Sequence, residues 1–307
     1  MKKIVLLIIL LSIFALSLTF HNEIADFIID TVNNFDNDIK TNTPLTPNKY
    51  ATNKDYMFVK TTRDFSPVSD IDIKNIYYTV MQSGMNDFTF YCNKQYKNCI
   101  EDINFISNNQ KLLSYINDYV PVYNSFQNIE TEFDSLGRIK LSIKHNYTEE
   151  EINALENKVN EIIASEIKDG MDDKAKIKAI HDYIINNTKY DIERSDNNIV
   201  KYRSHIAYGA LIEGYGICGG YADSMKIFLD RFDIPNFKVS SDKHTWNAVY
   251  LDGKWYHLDL TWDDPVIKNG PDRLDYNYFL IDTAQLLKLE DQQHAFDENI
   301  FLELKNN

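Results

Sequence analysis

"HTWNAVYLDGKWYHLDLTWDDP", residues 244–265, alternates apolar and polar residues on both sides of an Asp-Gly pair. Asp252-Gly253 between two alternating runs is the signature of a two-residue β-hairpin, because both turn positions need positive φ. That register pairs Leu251 with Lys254 and sets Trp246 opposite Asp259 and His244 opposite Thr261. His244 and Asp259 then share a face as diagonal neighbours, roughly 7–8 Å apart at the backbone and within side-chain reach. Val249, Leu251, Tyr256, Leu258, Leu260 and Trp262 fall on the opposite face and read as core. His257 shares the face of His244 but lies further along it, and reads as a packed or surface histidine. Asp263 and Asp264 lie past the paired region and read as a polar turn before Pro265.

An imidazole beside a carboxylate lacks only a nucleophile. Upstream, "GYGICGGYADSMKIFLDRF", residues 214–232, places Cys218 among four glycines. Tyr221, Met225, Phe228, Leu229 and Phe232 recur after it at helical spacing, so Cys218 opens a buried helix. Free backbone N–H groups and the positive end of the helix dipole shift a thiol there toward thiolate. Gly216, Gly219 and Gly220 read as cleared space for a substrate backbone. Cys218 as nucleophile, His244 as base and Asp259 as its orienting group make the set a nucleophilic thiol needs. His181 reads as a structural hydrogen-bonding residue on its own helix. No paired cysteine or histidine spacing marks a zinc site, and no loop has calcium-ligand spacing, so no metal or cofactor is expected.

Three blocks run in order: "KAIHDYIINNTKYD" (178–191), "AYGALIEGYGICGGYADSM" (207–225) and the 244–265 hairpin, followed by "YNYFL" (276–280). In this order they resemble the transglutaminase-like superfamily of papain-like cysteine enzymes, in its bacterial exported form, over residues 148–285. The resemblance implies an α+β fold in which a cysteine-bearing helix packs on an antiparallel sheet, with Cys218, His244 and Asp259 as catalytic triad. It also implies hydrolysis or amine transfer at protein or peptide amides. Gly219 stands where many relatives carry a polar residue, often glutamine. Gly219 and Trp246 are the expected substrate contacts. A non-catalytic surface module is the competing reading, with peptide or glycan held in the same cleft by Trp246, Trp255, Trp262 and tyrosines.

The remainder of the 307 residues sets the context. Lys2 and Lys3 precede an uncharged run to Phe20, so residues 1–20 read as a signal peptide or membrane anchor and the protein as secreted or cell-surface. Residues 21–48 read as an amphipathic segment and a linker, "TNTPLTPN". Residues 49–147 read as an N-terminal α+β module, with Ser69 and Gly84 bounding a helix and a hairpin turning at "DSLG". Residues 148–307 read as the transglutaminase-like domain and begin with a Thr148/Glu151 capping box. Cys92 and Cys99 either close a small loop by a disulfide or remain free thiols. The 46 acidic residues exceed the 32 basic ones by 14. That balance repels phosphate backbones, so nucleic acid is not an expected partner. The expected substrate is an extracellular or cell-surface protein or peptide, including cell-wall peptide. Contact with a membrane runs through the N-terminal segment alone.

Overall fold

The computed structural model describes residues 42–265, 273–289 and 292–305. The leader and the amphipathic segment fall outside them. Among the described residues, no helix is long and apolar enough to cross a membrane.

The N-terminal part is α+β. Helix α1 (Asp70–Ser83) is capped by the Ser69 side chain and ends at Gly84, whose φ of 72° suits a residue without Cβ. Strands β1 (Asp87–Tyr91), β2 (Phe126–Phe133) and β3 (Arg138–His145) form an antiparallel sheet in the order β1-β3-β2. Helices α2 (Cys99–Asn108) and α3 (Gln110–Asp118) lie between β1 and β2 in sequence. A disulfide joins Cys92 to Cys99. The segment expected as a linker is docked instead. Thr43 donates its N–H to the Thr89 carbonyl and Asn48 hydrogen-bonds Asn124 through its side chain.

Next come two helices, α4 (Glu149–Glu166), with both halves of its capping box formed, and α5 (Asp173–Asn187), capped by Asp172. A two-stranded parallel ladder of β4 (Lys189–Tyr190) and β5 (Tyr215–Gly216) brackets the short helix α6 (Ile192–Asn197) and a π turn at Gly209–Glu213. The chain continues into α7 (Cys218–Arg231) and the sheet β6-β7-β8, made of Asn236–Ser240, Thr245–Leu251 and Lys254–Leu258. Helix α8 (Thr283–Lys288) and two single helical turns, Gln292–His294 and Leu302–Leu304, complete the described chain.

The β7–β8 register is the one the Asp-Gly turn implies: Leu251 pairs Lys254 and Asn247 pairs Leu258, with Asp252 and Gly253 at φ 51° and 85°. The expectation of one apolar face is corrected. Val249 and Leu258 pack with Leu260 into a cluster shared with α4, α5 and α7. The opposite face, carrying Phe237, Val239, Trp246 and Ala248, packs into a second cluster with α1–α3, β1, β3, Phe301 and Leu304. Trp262 belongs to this second cluster too, because the pleat ends at Leu258 and parity does not govern the residues beyond it. The expected boundary at 147/148 is therefore not a break in packing. One apolar core runs from the N-terminal helices into the sheet that carries His244.

Candidate active site

Helix α7 begins at Cys218 with Ile217 as N-cap, a residue with no side chain to satisfy the first N–H groups. Loop 203–206 fixes this start: Ile217 donates its N–H to the Ser204 carbonyl at 2.8 Å. The helix lies against β7, where the Asn247 side chain donates to the Ala222 carbonyl. His244 immediately precedes β7 and Asp259 immediately follows β8. Both sit just off the ladder between these strands, and both backbones are bonded from elsewhere: the His244 carbonyl accepts from Ser241 and the Asp259 N–H donates to the Tyr278 carbonyl.

His244 Nε2 lies 2.5 Å from Asp259 Oδ2. The Cys218 thiol lies near enough to the same imidazole to favour its charged form. With Nε2 committed to the carboxylate, Nδ1 is the nitrogen left for sulfur. His244 is 5 % exposed and Asp259 2 %, whereas Cys218 is only partly buried and open to approach. Burial works to lower the His244 pKa, but the charge and hydrogen bond of Asp259, followed by the nearness of Cys218, outweigh it and hold the imidazole well above its ordinary range. Burial works to raise Asp259, and the charge and bonds of His244 and His294 overcome it and hold the carboxyl well below the usual carboxylate range. Both directions describe an imidazolium–carboxylate pair beside a thiol.

A fourth group is present that sequence reading passed over. His294 Nε2 lies 2.8 Å from the same Asp259 Oδ2. It comes from "DQQHAFDEN", a polar stretch with neither alternation nor helical period to single it out. His244, Asp259 and His294 are the one set of metal-ligating type found among the described residues, with ligand atoms within 4.8 Å of one another. Their 2.5 and 2.8 Å separations are hydrogen-bond lengths. An ion with bonds of about 2 Å to each atom would have to part them, so the set is arranged for proton sharing.

The expected substrate contact at Trp246 is corrected, and so is the reading of the glycines as cleared space. Trp246 is 1 % exposed. Its ring stacks on His244 at 5.7 Å between centroids, and its Nε1–H donates to His257 Nδ1 at 2.9 Å. It backs the imidazole and lines no cleft, because the rings of His294 and Phe296 pack on it. Its burial also removes one of the three tryptophans on which the binding-module reading drew. The glycines do not clear space for substrate. A Cβ on Gly219 would stand 2.6 Å from the His205 carbonyl oxygen, one on Gly220 2.4 Å from that of Ser204, and one on Gly216 2.8 Å from the Tyr221 ring. Loop 203–206 and Tyr221 fill the space their missing side chains leave.

His257 is a packed histidine: Nδ1 accepts from Trp246, and Nε2 meets Thr283 Oγ1 at 3.1 Å. Burial, followed by the neighbouring His294, pushes its pKa down to about 3, so it is neutral. Asp263 and Asp264 lie in the turn expected before Pro265, but they are buried in it. Asp263 is fully buried, accepts the Tyr278 N–H at 2.9 Å and meets His181 Nε2 at 3.2 Å. Asp264 accepts the Tyr221 hydroxyl. His181 is thus the structural residue expected, and it ties α5 to the chain just after Asp259.

Residues 160–260 match the family model described as the transglutaminase-like superfamily. The chain is 25% identical over 160 residues to kyphoscoliosis peptidase of mouse (Mus musculus), a match covering 43% of this chain and 22% of the mouse protein. The chain thus spans about a fifth of the length of that relative. A crystal structure of a TGase shares 17% identity at a TM-score of 0.35, covering 48% of this chain and 47% of that one. The family match ends one residue after Asp259, so it includes Cys218, His244 and Asp259 and excludes His294.

Proposed function

We propose that this protein is a cysteine acyl-transfer enzyme that acts on protein or peptide amides, with Cys218 as nucleophile, His244 as general base and acid, and Asp259 as the orienting carboxylate. The observation that carries the reading is the convergence of a thiol at a helix start and a buried imidazole–carboxylate pair, within a transglutaminase-like region. In this reading the thiolate attacks the amide carbonyl while the Cys218 backbone N–H, at the opening of α7, faces the developing oxyanion. His244 gives its Nδ1 proton to the departing amine. The resulting thioester passes to water or to a second amine. Residues 1–20, read as a leader, direct the protein to the cell surface or outside it, where the substrate is an extracellular or surface protein or a cell-wall peptide.

Cys92 and Cys99 are joined to each other and Cys218 is the free thiol, so labelling by a thiol-directed probe reports on Cys218 alone. Labelling is expected in the wild type and lost in Cys218→Ala. Persistent labelling of that variant would overturn the assignment. Incubation with a glutamine-containing protein and a labelled amine separates the two outcomes of the thioester. Covalent amine incorporation indicates transfer, and free ammonia or fragments indicate hydrolysis.

A further inference from the structure

Asp259 is held from four sides. Its Oδ1 accepts the backbone N–H groups of Thr261 at 2.9 Å and Trp262 at 3.3 Å. Its Oδ2 accepts from His244 at 2.5 Å and from His294 at 2.8 Å. A carboxylate oxygen that takes two bonds at hydrogen-bond distance takes them from two N–H donors, so His294 carries its proton on Nε2. The His294 ring is 3 % exposed and enclosed by aromatic residues. It stacks on Tyr278 at 4.8 Å and meets the edges or faces of Trp246 at 4.8 Å, Trp262 at 5.3 Å and His244 at 5.1 Å. A polar ring in so apolar a cage is held by what its nitrogens bond.

We infer that His294 is a positioning residue, which fixes the Asp259 carboxylate with Oδ2 aimed at His244 and so makes the constellation a set of four. The inference rests on the proposed role of Cys218, His244 and Asp259. Asp259 stands at the end of β8, and the Oδ1 bonds to Thr261 and Trp262 alone leave the carboxylate free to swing Oδ2 about them. The imidazole of His294 closes that swing. Among the described residues, no group besides the two imidazoles donates to Oδ2. The other titratable or charged groups facing this cluster are Cys218, His257, Tyr190, Lys238, Asp263 and Tyr278.

The experiment measures the rate of iodoacetamide alkylation of Cys218 against pH in the full chain. A thiolate–imidazolium pair gives a window of reactivity, opening as the thiol ionises and changing again as the imidazolium loses its proton. His294→Phe and His294→Met fill the cage without a donor, and His294→Gln restores one. With Asp259 released, the imidazolium is less favoured. The lower inflection is then expected to rise by about one pH unit and the upper to fall, so alkylation below the lower inflection slows about tenfold. His294→Gln is expected to recover the wild-type window. The readout is taken on whichever donor-less variant keeps a cooperative thermal transition, since a purely structural histidine would lower the melting temperature and leave both inflections in place. Unmoved inflections in a folded donor-less variant overturn the inference while leaving the triad standing. A wild type whose reactivity window is indifferent to Asp259→Asn overturns the triad and this inference with it.

Discussion

His244 and His257 belong to one hairpin and hold opposite charge states for reasons found in their neighbours. His244 faces a carboxylate and a thiol, and its proton is favoured. His257 faces an indole N–H and a threonine hydroxyl, so burial decides and the proton is expelled. A histidine with its folded pKa depressed to about 3 binds fewer protons than its unfolded counterpart between about pH 3 and 6.5. Its contribution to stability is present above about pH 6.5 and lost as the pH falls through that window. His257→Gln keeps an acceptor for Trp246 and cannot titrate. The stability difference between wild type and this variant, from urea unfolding, is expected to shift by about 2–3 kcal/mol in the variant's favour between about pH 7 and pH 4.5. A constant difference would show that His257 titrates alike in both states. Asp118 acts with the opposite sign. Burial lifts it to about 7 against the pull of Lys238 and Ser240. Its contribution is present at low pH and lost as the pH rises through about 7, so the comparison must be made against wild type at each pH.

At the scale of elements, the start of α7 is set by how closely loop 203–206 approaches it. Alanine normally favours a helix over glycine by about 1 kcal/mol. At Gly220 the added methyl would meet the Ser204 carbonyl at 2.4 Å, a backbone atom that cannot swing aside. Overpacking of this kind costs about 1–3 kcal/mol. Gly220→Ala is therefore expected to lower the urea midpoint despite its better propensity, and an equal or raised midpoint would show that the loop yields. The same elements show how far local sequence reaches. The Asp-Gly turn dictates its register, the register brings His244 near Asp259, and helical spacing marks Cys218 as an N-terminus; these are short-range facts and were legible. The filling of the glycine gaps by residues 203–206, the burial of Trp246 and the arrival of His294 depend on segments about 15–50 residues away, whose own patterns say nothing of where they dock. Strand parity also lost its force at Leu258, where the ladder stops, and Trp262 went to the face opposite the one it implied.

Across the whole molecule, the sheet that His244 adjoins is buried on both sides. Phe237 stacks with Phe301 and packs against Tyr119 of the N-terminal part, and the Tyr119 hydroxyl donates to the Ile300 carbonyl. A fragment of residues 148–307 would strip Tyr56 and Tyr119 from Phe237, and the rest of the N-terminal part from the cluster it shares with Val239, Trp246 and Ala248. Each of the larger apolar side chains forfeits about 1.5–3 kcal/mol when returned to water. The fragment is expected to lack a near-ultraviolet circular dichroism signal from packed aromatic residues and to melt without a cooperative transition. A fragment that melts sharply would restore the boundary at 147/148. For the full chain, unfolding monitored by tryptophan fluorescence, which reads the sheet at Trp246 and Trp255 and the chain just beyond it at Trp262, is expected to coincide with unfolding monitored by far-ultraviolet dichroism.

Asp259, Asp263 and Asp264 have three different partners: an imidazole pair, a backbone N–H with His181, and a tyrosine hydroxyl on α7. The last two keep the segment behind Asp259 pinned to α5 and α7. On the proposed role of Asp259, a mutational screen scored by turnover is expected to find all three positions equally intolerant, although two of them act only through the fold. Scoring the same library for thermal stability separates them: loss at 263 or 264 lowers the melting temperature along with activity, while the neutral isostere at 259 silences the thiol in a chain that still folds.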